Sequence, residues 1–161
     1  MVDTERAEVI VMTYEVELVE LAPQQVAVVC GKETVDGIPG FLGHAFGAVM
    51  QVLGQEHAAP AGPPFARYRE IEGGFEIEAG FPAMGPVAAR DDVEVAERAG
   101  GTAARTMHVG DYAGVGQAYA AVRTWLDDNG YAPSDAPWEE YLDEPSVAQP
   151  RTLVTFPCVR R

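Results

Sequence analysis

The sequence contains few cysteines and few serines. Its two cysteines, Cys30 and Cys158, each lie in an apolar run that predicts a strand, and their spacing matches no zinc motif. We therefore expect two buried, reduced thiols. The two serines, Ser134 and Ser146, lie outside any G-x-S-x-G segment, which argues against a serine hydrolase.

Long apolar runs and positive charge are also scarce. No stretch approaches the roughly 18 apolar residues of a membrane span, and the opening MVDTERAEVIVM does not resemble a signal peptide. We therefore expect a cytoplasmic protein with no membrane partner. Because 11 Lys and Arg residues stand against 25 Asp and Glu residues, the formal net charge is −14. Phosphate backbones would repel such a chain, so direct binding of nucleic acid is not expected.

Several familiar site motifs are missing. The histidines His44, His57 and His108 do not pair at metal-ligand spacing, and no H-E-x-x-H segment occurs, so we predict no metal site. The segment GVG at 114–116 begins like a dinucleotide fingerprint, but Tyr119 occupies the third glycine position. No G-x-x-x-x-G-K-[ST] phosphate loop is present, and the sequence predicts no cofactor.

The first half of the chain shows clear periodicity. Residues 14–21 alternate apolar and acidic, which predicts a half-buried strand, and residues 25–30 predict a more buried one. Apolar residues recur at helical spacing over about 39–53. Residues 65–71 and 75–81 predict two strands joined as a hairpin.

The same pattern then restarts after a connector of mixed character at residues 82–101. Residues 104–109 predict a strand, and apolar spacing over 115–126 predicts a second helix. Residues 138–142 and 152–156 predict two further strands. The order strand, helix, strand, strand therefore occurs twice.

Short sequence matches support an internal duplication. The segment PFARY at 64–68 resembles PWEEY at 137–141, and the Phe-Pro pair at 81–82 resembles the pair at 156–157. A unit of about 75 residues that occurs twice is too long and too rare for a solenoid. We predict an α+β fold of duplicated βαββ units with pseudo-twofold symmetry, in which two helices accompany one curved antiparallel sheet.

The domain organisation follows from this duplication. Residues 1–12 are expected to form a flexible N-terminal arm. Residues 13–161 are expected to form a single domain, because neither half, at about 13–90 and 100–158, has an obvious core of its own.

Several of these segments resemble a known family. The segments GPPFARY, AGFP, GGTAARTMHVGDYAGVGQAYAAVRTWLDDNGY, WEEYLDEP and TLVTFP are similar to the GyrI-like small-molecule-binding family, also called the effector-binding domain family. The resemblance covers about residues 14–158. Its most specific parts are the G-x-Y before the second helix, the W-x-x-x-N-G-Y at the end of that helix, and the E-x-Y-L-x-x-P strand.

The resemblance implies a ligand pocket near the junction of two βαββ units. Family members bind aromatic cations, and the acidic residue of E-x-Y, here Glu139, is implied to lie in the pocket. Some stand-alone members inhibit DNA gyrase or protect against toxins that act on it, and others hydrolyse cyclopropane-bearing alkylating natural products. The family's transcription regulators carry a DNA-binding region ahead of this domain. About a dozen residues precede the matching region here, so we expect a stand-alone member rather than such a regulator.

Glu139 is the leading candidate for the site. Strand alternation places Glu139 and Tyr141 on one face and Trp138 on the other. The resemblance, and not the alternation, puts Glu139 on the pocket side. A carboxylate in a dry aromatic cavity should have a raised pKa. It could bind a cation whose rings contact aromatic faces, or act as a general base that directs water onto an electrophilic ligand.

The other candidate ligand-binding residues are aromatic: Tyr141, Tyr68, Tyr112 and Phe41. Tyr68 is the counterpart of Tyr141 in the first half, and Tyr112 lies in the G-x-Y turn. Phe41 lies on the apolar stripe of the first helix, where a core role is the alternative. The tyrosines could likewise be core or rim residues whose hydroxyls are satisfied.

Three functions are compatible with these residues. The favoured one is binding of amphipathic, aromatic, cationic small molecules between the halves, with Glu139 as the pocket carboxylate. The first alternative is a hydrolase of cyclopropane-bearing alkylating compounds that uses Glu139 as a general base. The second alternative is an interaction module for gyrase or a separate regulator, which would not need Glu139.

Overall fold

The structure, a computed structural model, describes residues 13–161. The predicted N-terminal arm, residues 1–12, lies outside the described residues. Within them the chain forms ten strands and two α-helices: β1 (Glu17–Leu21), β2 (Gln24–Glu33), α1 (Ile38–Gln55), β3 (Ala59–Pro60), β4 (Phe65–Ile71), β5 (Gly74–Met84), β6 (Glu94–Arg98), β7 (Gly101–Val109), α2 (Val115–Asp128), β8 (Tyr131–Pro133), β9 (Trp138–Tyr141) and β10 (Arg151–Arg160). A single 3-10 turn precedes each α-helix, at Val35–Gly37 and at Tyr112–Gly114.

The strands form one antiparallel sheet in the order β1-β7-β10-β9-β4-β5-β2-β6, with β3 added to β5 and β8 added to β10. This order is symmetric about the junction of β9 and β4. Exchanging β2, β4, β5 and β6 with β7, β9, β10 and β1, respectively, gives the same order read from the other end. The predicted fold of two βαββ units related by a pseudo-twofold axis is thereby confirmed.

The pseudo-twofold axis passes through the pair β4·β9. Ala66 lies directly opposite Glu139 in this antiparallel pair, and these are the two residues that the duplication relates to each other. The backbone bonds on either side repeat the symmetry, because the Tyr141 amide donates to the Pro64 carbonyl and the Tyr68 amide donates to the Pro137 carbonyl. The duplicated segments therefore meet at the centre of the sheet.

Both helices pack on the same face of the sheet, which we call the helical face. Helix α1 buries Ala45, Val49, Val52 and Leu53 against β2, β4 and β5. Helix α2 buries Ala118, Val122 and Leu126 against β7 and β10. In both helices the buried residues recur at three- and four-residue spacing, as an amphipathic helix requires.

The opposite face of the sheet carries a smaller buried cluster. Val26, Val28, Phe65 and Trp138 form it. The guanidinium of Arg98 stacks over the rings of Phe65 and Trp138, at 4.8 and 4.6 Å. Trp138 is therefore a core residue of this face.

Three strands differ from the sequence prediction. The predicted connector at 82–101 contains β6, which pairs with β2. The short strands β3 and β8 were not among the predicted strands, and they form because β5 and β10 extend far enough to pair with them. In each case the partner strand is remote or the strand is very short, so local periodicity carries no signal.

The cysteines are free, and one of them differs from expectation. Cys158 is buried, as predicted, whereas Cys30 is exposed. Cys30 follows Val26 and Val28 on the face opposite the helices, beyond the cluster that these two residues form with Phe65 and Trp138. No helix within residues 13–161 is long and apolar enough to cross a membrane.

Candidate functional site

A cavity of about 1550 Å³ opens on the helical face between α1 and α2. This volume exceeds the range of roughly 300–1,000 Å³ that is usual for small-molecule sites. Its walls come from both halves of the chain. The first half contributes α1, β4 and the start of β5, and the second half contributes the turn before α2, α2 itself, β9 and the loop after it.

Glu139 lies on the cavity wall at the centre of the sheet. Its side chain is 9% exposed, and it belongs to the helical face because it is paired with Ala66, which packs in the core under α1. Two phenol groups hold its carboxylate. The Tyr119 hydroxyl donates to Oε2 at 2.6 Å, and the Tyr141 hydroxyl donates to Oε1 at 2.9 Å.

A third tyrosine extends this network. The hydroxyls of Tyr68 and Tyr141 lie 2.9 Å apart. Since a phenol carries one proton and Tyr141 gives its own to Glu139, Tyr68 is the donor in this bond. The hydrogen bonds therefore form a chain in which Tyr68 donates to Tyr141 and Tyr141 donates to Glu139. Tyr119 donates to the other oxygen of the same carboxylate.

The electrostatics of the site follow from burial. Burial raises the pKa of Glu139, although the hydrogen bonds from Tyr119 and Tyr141 and the nearby His108 lower it in part. Burial, and then the charge of Glu139, raise the pKa of Tyr68, Tyr119 and Tyr141. The three phenols thus remain protonated donors at neutral pH, and the carboxylate is held at a free-energy cost that nothing within residues 13–161 fully offsets.

Aromatic rings surround this polar centre. The ring of Tyr141 meets Phe46 and Tyr112 edge to face, with centroids 6.2 and 5.8 Å away. The ring of Tyr68 meets Phe75 in the same way at 6.0 Å. Such rings offer faces and edges to a flat ligand.

The two halves carry different residues at cavity positions that the pseudo-twofold axis relates. The turns and helices of the halves correspond at an offset of 77 residues, and β4 and β9 at an offset of 73. At these offsets the cavity residues Tyr112, Tyr119, Arg123 and Glu139 of the second half correspond to Val35, Leu42, Phe46 and Ala66 of the first. At these four related positions the first half is therefore apolar, whereas the second half carries hydroxyls and both signs of charge.

The structure brings together four of the five predicted ligand-binding residues. Glu139, Tyr141, Tyr68 and Tyr112 all line the cavity. Phe41 does not belong to the wall that the described residues form. It packs against the core under α1, and its ring lies so near Gly31 that a Cβ at Gly31 would be 2.6 Å from it.

Tyr119 and Arg123 are among the cavity residues that were not predicted to belong to the site. In the sequence, Tyr119 was interpreted as part of the apolar spacing of the second helix and as a mismatch to the dinucleotide fingerprint, and Arg123 was assigned no role. A signal was present, because residues 112, 116, 119 and 123 follow helical spacing and form a stripe beside the buried one. Within residues 13–161, no group of three His, Cys, Asp or Glu side chains could hold a metal ion.

Comparison with known proteins supports a small-molecule site. The family described as "GyrI-like small molecule binding domain" matches residues 14–157. No protein with a curated description matches the chain. Among solved structures, the C-terminal domain of EcmrR superposes with a TM-score of 0.77 at 19% identity, covering 93% of this chain and 100% of that one.

The longer EcmrR chain, solved in a complex with DNA, gives a TM-score of 0.80 at 19% identity and covers 99% of this chain. The present chain spans 62% of that EcmrR chain, so the DNA complex carries no conclusion here, and the expected lack of nucleic-acid binding stays a prediction.

Two further structures share the fold. A hydrolase from Listeria innocua gives a TM-score of 0.69 at 12% identity, covering 98% of each chain. SAV2435, solved with bound tetraphenylphosphonium, gives a TM-score of 0.55 at 14% identity, covering 92% of this chain and 94% of its own. At these identities the likeness shows a common fold.

Proposed function

Because the chain belongs to the GyrI-like small molecule binding domain family, we propose that it binds amphipathic aromatic cations in the cavity between its two halves. Glu139 supplies the negative charge, and Tyr68, Tyr112 and Tyr141 supply ring surface. The apolar residues of α1 in the first half, such as Leu42 and Phe46, would receive the hydrophobic part of the ligand, and Glu139 in the second half would receive its charge.

The observation that carries this proposal is the state of Glu139. The carboxylate is buried, it accepts two phenol hydrogen bonds, and its pKa is still raised. A bound cation would offset the burial of this charge, while the surrounding rings would contact the aromatic part of the ligand. Affinity would come mainly from the buried rings, and selectivity for cations from Glu139.

SAV2435 provides independent support, because its structure holds tetraphenylphosphonium. This ligand is a bulky cation without hydrogen-bond donors, so a site that takes it must rely on charge and ring contacts. The cavity of this chain offers both, through Glu139 and the surrounding aromatic rings.

The proposal is tested by thermal-shift titration with tetraphenylphosphonium and with triphenylphosphine oxide, a neutral compound with similar rings. A ligand that binds the folded state raises the unfolding midpoint. We expect tetraphenylphosphonium to stabilise the wild type, and Glu139→Gln to weaken that binding about tenfold while leaving the neutral compound nearly unchanged.

Glu140→Gln is the matched control, since it removes the same charge from the next position of β9, on the opposite face of the sheet. This variant should bind tetraphenylphosphonium like the wild type. Absence of any shift in the wild type, or an equal loss in both variants, would contradict the proposal.

A hydrolase is the second candidate function. It is favoured by a buried carboxylate of raised pKa beside tyrosine hydroxyls, which is a suitable general base, and by the Listeria innocua neighbour that is described as a hydrolase. Glu139 would take a proton from a water whose oxygen bonds to a cyclopropane carbon. The strained C–C bond would break, and its electron pair would pass to the rest of the compound, which takes up a proton. Incubation with a cyclopropane-bearing alkylating compound, followed by mass spectrometry, separates the two candidates. A hydrolase gives the hydrated product, which Glu139→Gln abolishes, whereas a binding protein returns the compound intact.

A further inference from the structure

Arg123 is a cavity residue that the proposed function does not use. It lies one helical turn after Tyr119 on α2 and lines the same wall as Glu139. Its guanidinium is 5.8 Å from the ring centroid of Tyr119 and 5.4 Å from that of Phe156. It forms no ion pair with any acidic residue between positions 13 and 161, and the side chain is exposed.

The second cavity arginine is in a different situation. Arg69 is bonded to Asp135 at 3.2 Å and lies 3.7 Å from Glu76. Its charge is therefore already shared between two carboxylates. Of the two arginines on the described cavity wall, Arg123 is the one whose charge is available to a ligand.

We propose that Arg123 forms an anion subsite, so that the cavity prefers aromatic ligands that carry a carboxylate as well as a positive charge. This inference rests on the proposed function, because it assumes that the cation of the ligand lies near Glu139. The Arg123 guanidinium forms no ion pair within residues 13–161, so its N–H groups are open to a ligand, and their fork geometry matches the two oxygens of a carboxylate.

The side chain of Tyr119 sets the spacing of the two charged positions. Its hydroxyl is bonded to Glu139, and its ring contacts Arg123. An aromatic ring thus lies between the anionic and the cationic group of the wall. A ligand with its two charges at opposite ends of an aromatic system matches this arrangement.

Other cavity charges make the position of the ligand carboxylate selective. The wall also includes Glu70, Asp143 and Glu144. The Asp143 carboxylate is engaged by Arg151 at 2.8 Å, whereas Glu70 and Glu144 form no ion pair within residues 13–161. These acids would repel a ligand carboxylate elsewhere in the cavity, so Arg123 is the place that accepts it.

The test compares two forms of one dye, a xanthene cation with a free carboxylate and the ethyl ester of the same dye. Both forms have the same rings and the same positive charge. We expect the wild type to bind the free acid about threefold to fivefold more tightly than the ester, as an exposed ion pair provides. Fluorescence anisotropy titration measures both dissociation constants, and added salt should reduce their ratio.

Three variants test whether Arg123 causes the preference for the free acid. Arg123→Gln should abolish the preference or reverse it, because it weakens binding of the acid and relieves repulsion of the ester. Arg123→Lys should keep part of it, since a lysine attracts a carboxylate as a point charge. Arg160→Gln is the matched control: Arg160 also stacks on a ring, that of Tyr131 at 5.0 Å, but does not line the cavity wall that the described residues form.

The outcomes separate the two proposals. Equal binding of acid and ester by the wild type, or an unchanged ratio in Arg123→Gln, overturns the anion subsite and leaves the cation site intact. Failure of the wild type to bind either dye overturns both. The ratio of the two dissociation constants can be measured in the wild type alone, so the test holds even if a substitution impairs folding.

Discussion

At the scale of single residues, Glu139 has a site that favours its protonated form. The carboxyl group is 9% exposed, and burial outweighs the two phenol hydrogen bonds in setting its pKa. The folded-state pKa is therefore above the ordinary value of 4.5, which the unfolded chain would show. A group with this direction of shift favours the folded state fully below its unfolded pKa, and this contribution is lost as the pH rises through the folded pKa.

The ligand-free protein should consequently respond to pH through Glu139. We expect Glu139→Gln to gain stability relative to the wild type between about pH 4 and pH 8, by about 1.4 kcal/mol for each unit by which the pKa is raised. Urea unfolding at the two pH values measures this difference. Glu140→Gln should show no comparable gain, and a constant difference between Glu139→Gln and wild type at both pH values would contradict the argument.

The sequence predicted some of the cavity residues and missed others. The E-x-Y segment identified Glu139 and Tyr141, because strand alternation and the family resemblance restrict where such residues can point. It did not identify Tyr119 as a partner of Glu139, since a helical tyrosine among apolar residues fits a core stripe equally well. Phe41 was a candidate on the apolar stripe of α1, and its side chain packs against the core, which was the alternative interpretation.

At the scale of elements, the pair β4·β9 explains why the duplicated segments differ. Ala66 and Glu139 lie opposite each other on the pseudo-twofold axis. If both copies carried glutamate, two carboxylates would face each other across a buried strand pair, and like charges in that position are destabilising. A symmetric dimer of identical units could not avoid this contact, whereas a fused duplication can keep one charge and replace the other.

A substitution at Ala66 tests this account. We expect Ala66→Glu to destabilise the protein by about 3 kcal/mol or more, through its size in a packed core and through repulsion by Glu139. Ala66→Gln is the control for size. Its difference from Ala66→Glu, measured by urea unfolding at pH 8, should shrink when Glu139→Ala is also present. Equal stability of the Gln and Glu variants in the presence of Glu139 would show that the like-charge contact does not matter.

The strands and helices that the sequence predicted correctly are those whose apolar residues recur with a clear period. The predicted strand at 65–71 has the bounds of β4, and both helices were found within a few residues of their ends. The strand β6 was missed because its five residues are mostly charged or exposed, and it is a strand only by virtue of pairing with β2. Such a pairing is a property of tertiary structure.

At the scale of the whole molecule, the two halves exchange their edge strands. Strand β1 precedes the first βαββ unit in the sequence but pairs with β7 of the second. Strand β6 precedes the second unit but pairs with β2 of the first. Together with β4·β9, these pairings connect the halves at three places in one sheet. Neither half therefore contains its own complete sheet, which supports the expectation that residues 13–161 form a single domain.

Cooperative unfolding is the consequence that can be measured. Trp125 stacks on Tyr131 within the second half, whereas Trp138 is buried beside Phe65 of the first half. In a Trp138→Phe background, tryptophan fluorescence therefore reports on the second half, while far-ultraviolet circular dichroism reports on the whole chain. We expect Val49→Ala, which opens a small cavity under α1 in the first half, to lower both midpoints together, by about 2–8 °C for a loss of about 1–2 kcal/mol. Val122→Ala under α2 is the matched variant and should do the same. If Val49→Ala moved the circular dichroism midpoint and left the tryptophan midpoint unchanged, the halves would unfold independently, and the exchanged strands would not join them into one cooperative unit.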